Sequence, residues 1–133
     1  MTGMSMSAAA ERDRKPNVID ASHLERMTLG DRRLEREVLE LFVRQTAILL
    51  NRIASAEPAM AAAAAHTLKG SARGIGVWRV ARAAELLEEA AGSAGTEDEV
   101  EGAIEELKAA SLEASVAIGA RLTVLLPELA RDR

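Results

Sequence analysis

Residues 59–76 read AMAAAAAHTLKGSARGIG, and the way this stretch folds decides the rest. Alanine is the strongest helix former, so the run predicts a helix from Ala59 to about Gly74. At about 100° per residue, Ala61, Ala64, Leu68, Ser71, Ala72 and Ile75 gather on one side. Lys69, Gly70 and Arg73 fall within about 60° of His66 on the other. The apolar stripe therefore anchors the helix while His66 faces outward. Small side chains on that stripe let neighbouring helices come close, and Arg73, Gly74 and Gly76 mark a fraying end.

Working outward, Ser55–Glu57 reads as a loop and Pro58 suits a first helical position. Before it, from Asp31 to Ala54, Leu34, Val38, Leu41, Phe42, Ile48, Leu49 and Ile53 recur at spacings of three and four. That is an amphipathic helix of more than six turns, with Gln45 at the edge of its stripe. Asp20 can cap a short helix, ASHLERM, whose Leu24 and Met27 share a side, and Gly30 with Asp31 supplies a stop and a new cap.

On the C-terminal side, a fourth helix from about Val77 to Ala91 presents Val77, Val80, Ala84, Leu87 and Ala91. Gly92 and Gly95 end it. Thr96 and Glu99 form a capping box that opens a last helix, and Val100, Ile104, Leu107, Ser111, Ala114, Ile118, Leu122 and Leu125 keep its period to about Leu126, where Pro127 interferes. Its length, about 45 Å at 1.5 Å per residue, exceeds that of the third and fourth helices. The overhang is either solvent-exposed or an oligomer contact. The expected fold is all-α: an antiparallel up-and-down four-helix bundle with a short extra N-terminal helix, over residues 18–133. Residues 1–17, polar and without an apolar period, read as a disordered arm.

Composition narrows the function. A chain of 133 residues suffices for one core. It has no cysteine and two histidines, which removes disulfides and thiolate zinc sites and leaves too few ligands for a metal cage. The 17 basic and 21 acidic residues give a net charge of −4, against nucleic acid as a principal partner. Neither a membrane span nor a signal peptide is visible, so a cytoplasmic protein is expected.

His66 then carries the chemistry. A general base wants a carboxylate or hydroxyl that orients its ring. Thr67 points about 100° away, and no carboxylate lies on the helix itself. The neighbours are cations, Lys69 and Arg73, which favour a ring with a free lone pair and would stabilise an attached phosphoryl dianion. Gly70, one turn on, clears the surface for an approaching protein. His23 has no such company and reads as an ordinary, partly exposed residue.

His66, Leu68, Lys69, Gly70, Ser71, Ile75 and Gly76 reproduce the pattern H-x-L-K-G-S-x-x-x-I-G, and with it the chain resembles the histidine-phosphotransfer (HPt) domains of two-component phosphorelays. The likeness extends from about Ile19 to Ala91, and the last helix resembles the family only in being a helix. The resemblance implies that His66 accepts phosphate through Nε2 from a receiver-domain aspartate and passes it to another receiver. It implies that Lys69 steadies the phosphoryl oxygens and that Gly70 with Ala62 and Ala63 admits the receiver; Arg73, at a position that varies in the family, is a candidate second cation. Glu88 matches a position that in some members holds a polar group near the imidazole, although a solvated charge is the simpler reading. The expected partners are response-regulator receivers, with a hybrid histidine kinase as a further candidate. No cofactor or metal is expected on this chain, the Mg²⁺ belonging to the receiver, and monomer and dimer both stay open.

Three other readings compete. The glycines of GSARGIG are a weak match to a phosphate-cradling loop, because no strand precedes them and the lysine lies on the wrong side. A sensor-kinase dimerisation helix would carry an acidic residue after the histidine, where Thr67 stands, and a proline five on, where Ser71 stands. A helical adaptor or dimerisation bundle without phosphate chemistry is the alternative from a different class, and the long last helix keeps it alive.

Overall fold

Asp20 and Asp31 start the first two helices by the same device. Asp20 Oδ1 accepts the backbone N–H of His23 at 3.1 Å, and Asp31 Oδ1 accepts those of Arg33 and Leu34 at 2.9 and 3.1 Å, meeting donors that have no partner within a helix. The computed structural model describes residues 17–93 and 95–131, with side chains as far as Leu125. The helices are α1 (Ala21–Met27), α2 (Arg32–Ser55), α3 (Pro58–Ile75), α4 (Trp78–Gly92) and α5 (Glu97–Arg131). No strand occurs among the described residues. The expected arm, 1–17, lies outside them except for Asn17.

Short links at 56–57, 76–77 and 93–96 reverse the chain between the long helices. Each long helix packs on the next and α5 returns to α2, closing a four-helix ring, while α1 lies on α3. Pro58 begins α3 as expected, and Thr96 Oγ1 accepts the N–H of Glu99 at 3.1 Å. At the other end of α3 the helix is intact to Ile75 rather than frayed. Gly76, at φ +81°, adopts the left-handed conformation that closes it, and Val77 N–H donates to Ala72 C=O at 2.9 Å.

The core is built from Leu24, Leu39, Phe42, Leu49, Ile53, Leu68, Val80, Leu87, Leu107 and Ile118, with Ala61, Ala64, Ala65 and Ala72 where α3 meets its neighbours. Three expectations need correction. On α2 the buried line is Glu35, Leu39, Phe42, Thr46, Leu49 and Ile53, whereas Leu34, Leu41 and Ile48 are 37, 55 and 54% exposed. The two lines run side by side on α2, and Val38, three or four residues from Glu35 and Phe42 in one and from Leu34 and Leu41 in the other, joins their spacings. Met27 is exposed while Leu24 is buried, so the side they share is covered at Leu24 alone. Pro127 does not end α5, which continues to Arg131; a proline removes a single N–H from the ladder, and the turns on both sides hold.

Burial of Glu35, 1% exposed, is met by charge. Arg121 on α5 and Arg32 both bond its carboxylate, so an ion pair ties α2 to α5. None of the described helices is long and apolar enough to cross a membrane.

Candidate functional site

His66 stands midway along α3, held from behind by the alanine-rich face that packs into the core. Its side chain is 66% exposed, as the helical phase requires. The surprise is its partner. Nδ1 lies 2.7 Å from Oε2 of Glu88, and Oε1 of the same carboxylate accepts a hydrogen bond from Lys69 Nζ at 2.6 Å. Glu88 therefore does not act as a solvated charge. It projects from α4, the helix packed most extensively on α3, and bridges two α3 residues that lie one turn apart.

This geometry fixes the imidazole. A carboxylate accepts hydrogen bonds, so Nδ1 carries the proton and the lone pair resides on Nε2. Lys69, 15% exposed, and Glu88, 29% exposed, are partly withdrawn from water beside a ring that is not. The hydrogen bond from Lys69 is the larger cause, and that from His66 the second, of a Glu88 carboxyl held below its ordinary value. Glu88 is thus an anion throughout the physiological range. It supplies the orienting carboxylate that α3 lacks.

Arg73 is committed elsewhere. Its guanidinium bonds Glu85 Oε2 at 2.9 Å, and Arg82 holds the other oxygen of that carboxylate. The hydrogen bond from Arg82, followed by the charge of Arg73, holds the Glu85 carboxyl low. The α3–α4 seam therefore carries two carboxylates, Glu88 and Glu85, each shared by two groups.

Gly70 is exposed, and a Cβ built on it meets no atom within 4 Å. Ala62 and Ala63 lie on the other side of His66 and share an open groove with Thr67, Glu88, Glu89 and Gly92. Ala62 and Ala63 therefore border the imidazole, and Gly70 lies one turn beyond it on α3. Gln45 accepts a hydrogen bond from Ser71 Oγ at 2.8 Å, a structural link between α2 and α3 that accounts for a polar residue at the edge of the stripe. His23 is structural too: its Nε2 donates to Arg73 C=O at 3.0 Å near the end of α3, and its ring leans on Trp78.

The bundle thus presents one free imidazole nitrogen, backed by a carboxylate and a lysine. The chain matches the Hpt domain family over residues 37–117 and belongs to that family. A rice protein assigned as a histidine-containing phosphotransfer protein, known from an X-ray structure, shares the fold with a TM-score of 0.72 at 16% identity, over 90% of this chain and 87% of that one. Comparison with curated proteins gave no significant match. Membership in the family gives the chain a histidine-phosphotransfer role in phosphorelay signalling.

Proposed function

We propose that His66 is the phosphoacceptor and that it relays a phosphoryl group between receiver domains. The observation that carries this reading is the bond between Nδ1 and Glu88, which leaves Nε2 as the nucleophile. In the transfer, the Nε2 lone pair forms a bond to phosphorus as the bond from phosphorus to the aspartyl oxygen of the receiver breaks, releasing the aspartate as a carboxylate. The proton stays on Nδ1. The ring gains positive charge, and Glu88 lies in place to balance it.

Lys69 has N–H groups beyond the one given to Glu88 and can offer one to a phosphoryl oxygen on Nε2. Such a transition state is loose, so positioning and charge neutralisation matter more than proton transfer. The metal that assists it belongs to the receiver. Gly70, Ala62 and Ala63 leave the space the receiver needs, and Arg73, tied to Glu85, acts at the rim of that face. A second receiver takes the group by the reverse step, and a hybrid kinase is a fitting source of the first.

Mixing the protein with a phosphorylated receiver should move an acid-labile, base-stable label onto it, and His66→Ala should abolish the transfer. A label that survives the substitution rejects His66. Receiver binding with no label on the wild-type chain would favour a non-catalytic adaptor.

A further inference from the structure

The seam between α2 and α5 holds two polar groups that the phosphotransfer site does not use. Thr46 on α2 and Ser111 on α5 are each 3% exposed, and neither hydroxyl oxygen has a hydrogen-bond partner among the described residues. Thr28, equally buried, donates instead to Leu24 C=O at 2.8 Å. A hydroxyl left unpaired inside a protein costs stability, so two of them call for a partner.

The register of the seam places these two together. Three links reverse the chain between α2 and α5, so the helices run antiparallel, and the bond between Glu35 and Arg121 fixes one level. Seven residues on along α2 and seven back along α5 lie Phe42 and Ala114; fourteen lie Leu49 and Leu107, all four buried. Leu39 and Ile118 share a level in the same way, to within one residue. Thr46 and Ser111, eleven and ten residues from the ion pair, fall at one level to within about 1.5 Å. Direction agrees with height: eleven residues are three turns to within about 20°, so Thr46 faces the same way as the Glu35 carboxylate that meets α5. The layers on either side set the spacing of the backbones, Leu49 against Leu107 and Phe42 against Ala114. Between them Thr46 meets Ser111 and Ala110, a smaller set of side chains, which leaves room at that level.

We infer that Thr46 and Ser111 bind one internal water molecule between α2 and α5. Each hydroxyl has one donor and two acceptor positions, so the water can accept from one oxygen and donate to the other. Its second proton can go to a helix carbonyl, whose other lone pair is open. Two or more polar partners are what retain a buried water. Gln45, next to Thr46, bonds Ser71, so with the water a polar layer crosses the bundle from α3 through α2 to α5.

Oxygen-17 relaxation dispersion of water in solutions of the full chain tests the inference, since it reports waters held inside the fold and does not respond to exchanging hydroxyl protons. The wild type should show one more long-lived water than the double variant carrying Thr46→Val and Ser111→Ala. In urea unfolding each single substitution should lower the midpoint, because the other hydroxyl and the water lose a partner, and the double variant should lie no lower than the less stable single one. Equal dispersion in the wild type and the double variant overturns the inference. Single losses that add in the double variant also overturn it, and assign each hydroxyl to the carbonyl of its own helix four residues back, at Phe42 and Leu107. So does a crystal structure of the wild type in which the two oxygens bond directly, or in which no water lies within hydrogen-bonding distance of both.

Discussion

Oε2 of Glu88 lies 2.7 Å from Nδ1 of His66 across the α3–α4 seam. The residues are 22 apart in sequence, so the contact exists only because the two-residue link at Gly76 and Val77 folds α4 back along α3. One carboxylate then orients the ring, leaves Nε2 free and binds the lysine beside it.

If Glu88 positions the ring, Glu88→Ala should slow phosphoryl transfer to His66 about tenfold, or 1.4 kcal/mol in the barrier, without changing helicity. Glu88→Gln keeps an acceptor but not the charge and should fall between. The pH dependence has a definite sign. Because the carboxyl is held below its ordinary value of 4.5, its contribution to stability is complete above that pH and is lost as pH falls through the lowered value. The melting temperature of wild type should exceed that of Glu88→Gln at pH 6, and the gap should close in stronger acid. A gap independent of pH would show that Glu88 acts by packing alone.

The ion pair between Glu35 and Arg121 makes a prediction about stability alone. Arg121→Ala takes one of two guanidinium partners from a carboxylate that is 1% exposed, leaving Arg32 at 3.4 Å, and should destabilise the bundle by about 1–3 kcal/mol in urea unfolding. Replacing Glu35 and Arg121 together by methionine should recover most of that loss, because no unpaired charge is left inside. Equal losses in the single and double variants would mean that packing, not charge, dominates this contact.

How far the sequence reaches is clearest at these two carboxylates. Helical phase alone placed His66 outward and the alanines inward, since an α-helix has one period and the apolar residues follow it. The caps at Asp20, Asp31 and Thr96 were equally legible because they act within three residues. Glu35 and Glu88 were not, as their partners lie 86 and 22 residues away, and which acidic residue meets which cation depends on how the helices pack. The exposed ridge of α2 was missed for a related reason. Leu34, Leu41 and Ile48 satisfy the helical period as well as Leu39 and Phe42 do, and only the position of the neighbouring helices tells them apart.

Gly76 closes a turn that strains any residue carrying a side chain. Its φ of +81° disfavours a side chain, and a Cβ would stand 3.0 Å from Asp20 Cβ and 3.2 Å from Asp20 C=O. That oxygen belongs to backbone already fixed by the bond from Asp20 N–H to Gly76 C=O at 2.9 Å. Gly76→Ala should therefore cost about 1–3 kcal/mol, measured by chemical denaturation, and should loosen α1 from the end of α3. A loss below about 0.5 kcal/mol would show that α1 can shift to make room.

Gly70 should respond in the opposite way, and the contrast separates structure from function. It lies inside α3 with open space where its Cβ would be, so only helix propensity acts on it. Gly70→Ala should stabilise the chain by up to about 1 kcal/mol. Gly74 has the same open surroundings two turns beyond His66, and Gly74→Ala should also stabilise, less so near the helix end. A bulky residue distinguishes them: Gly70→Leu should keep the fold and its stability yet slow transfer from a phosphorylated receiver by at least about tenfold, whereas Gly74→Leu should change the rate far less. The pairing of unchanged stability with lost transfer is what an obstructed docking face produces, because the side chain harms only a surface that a partner must reach. Equal rates in the two leucine variants would mean that the receiver approaches His66 from the side of Ala62 and Ala63, and that Gly70 is only a weak point in the helix.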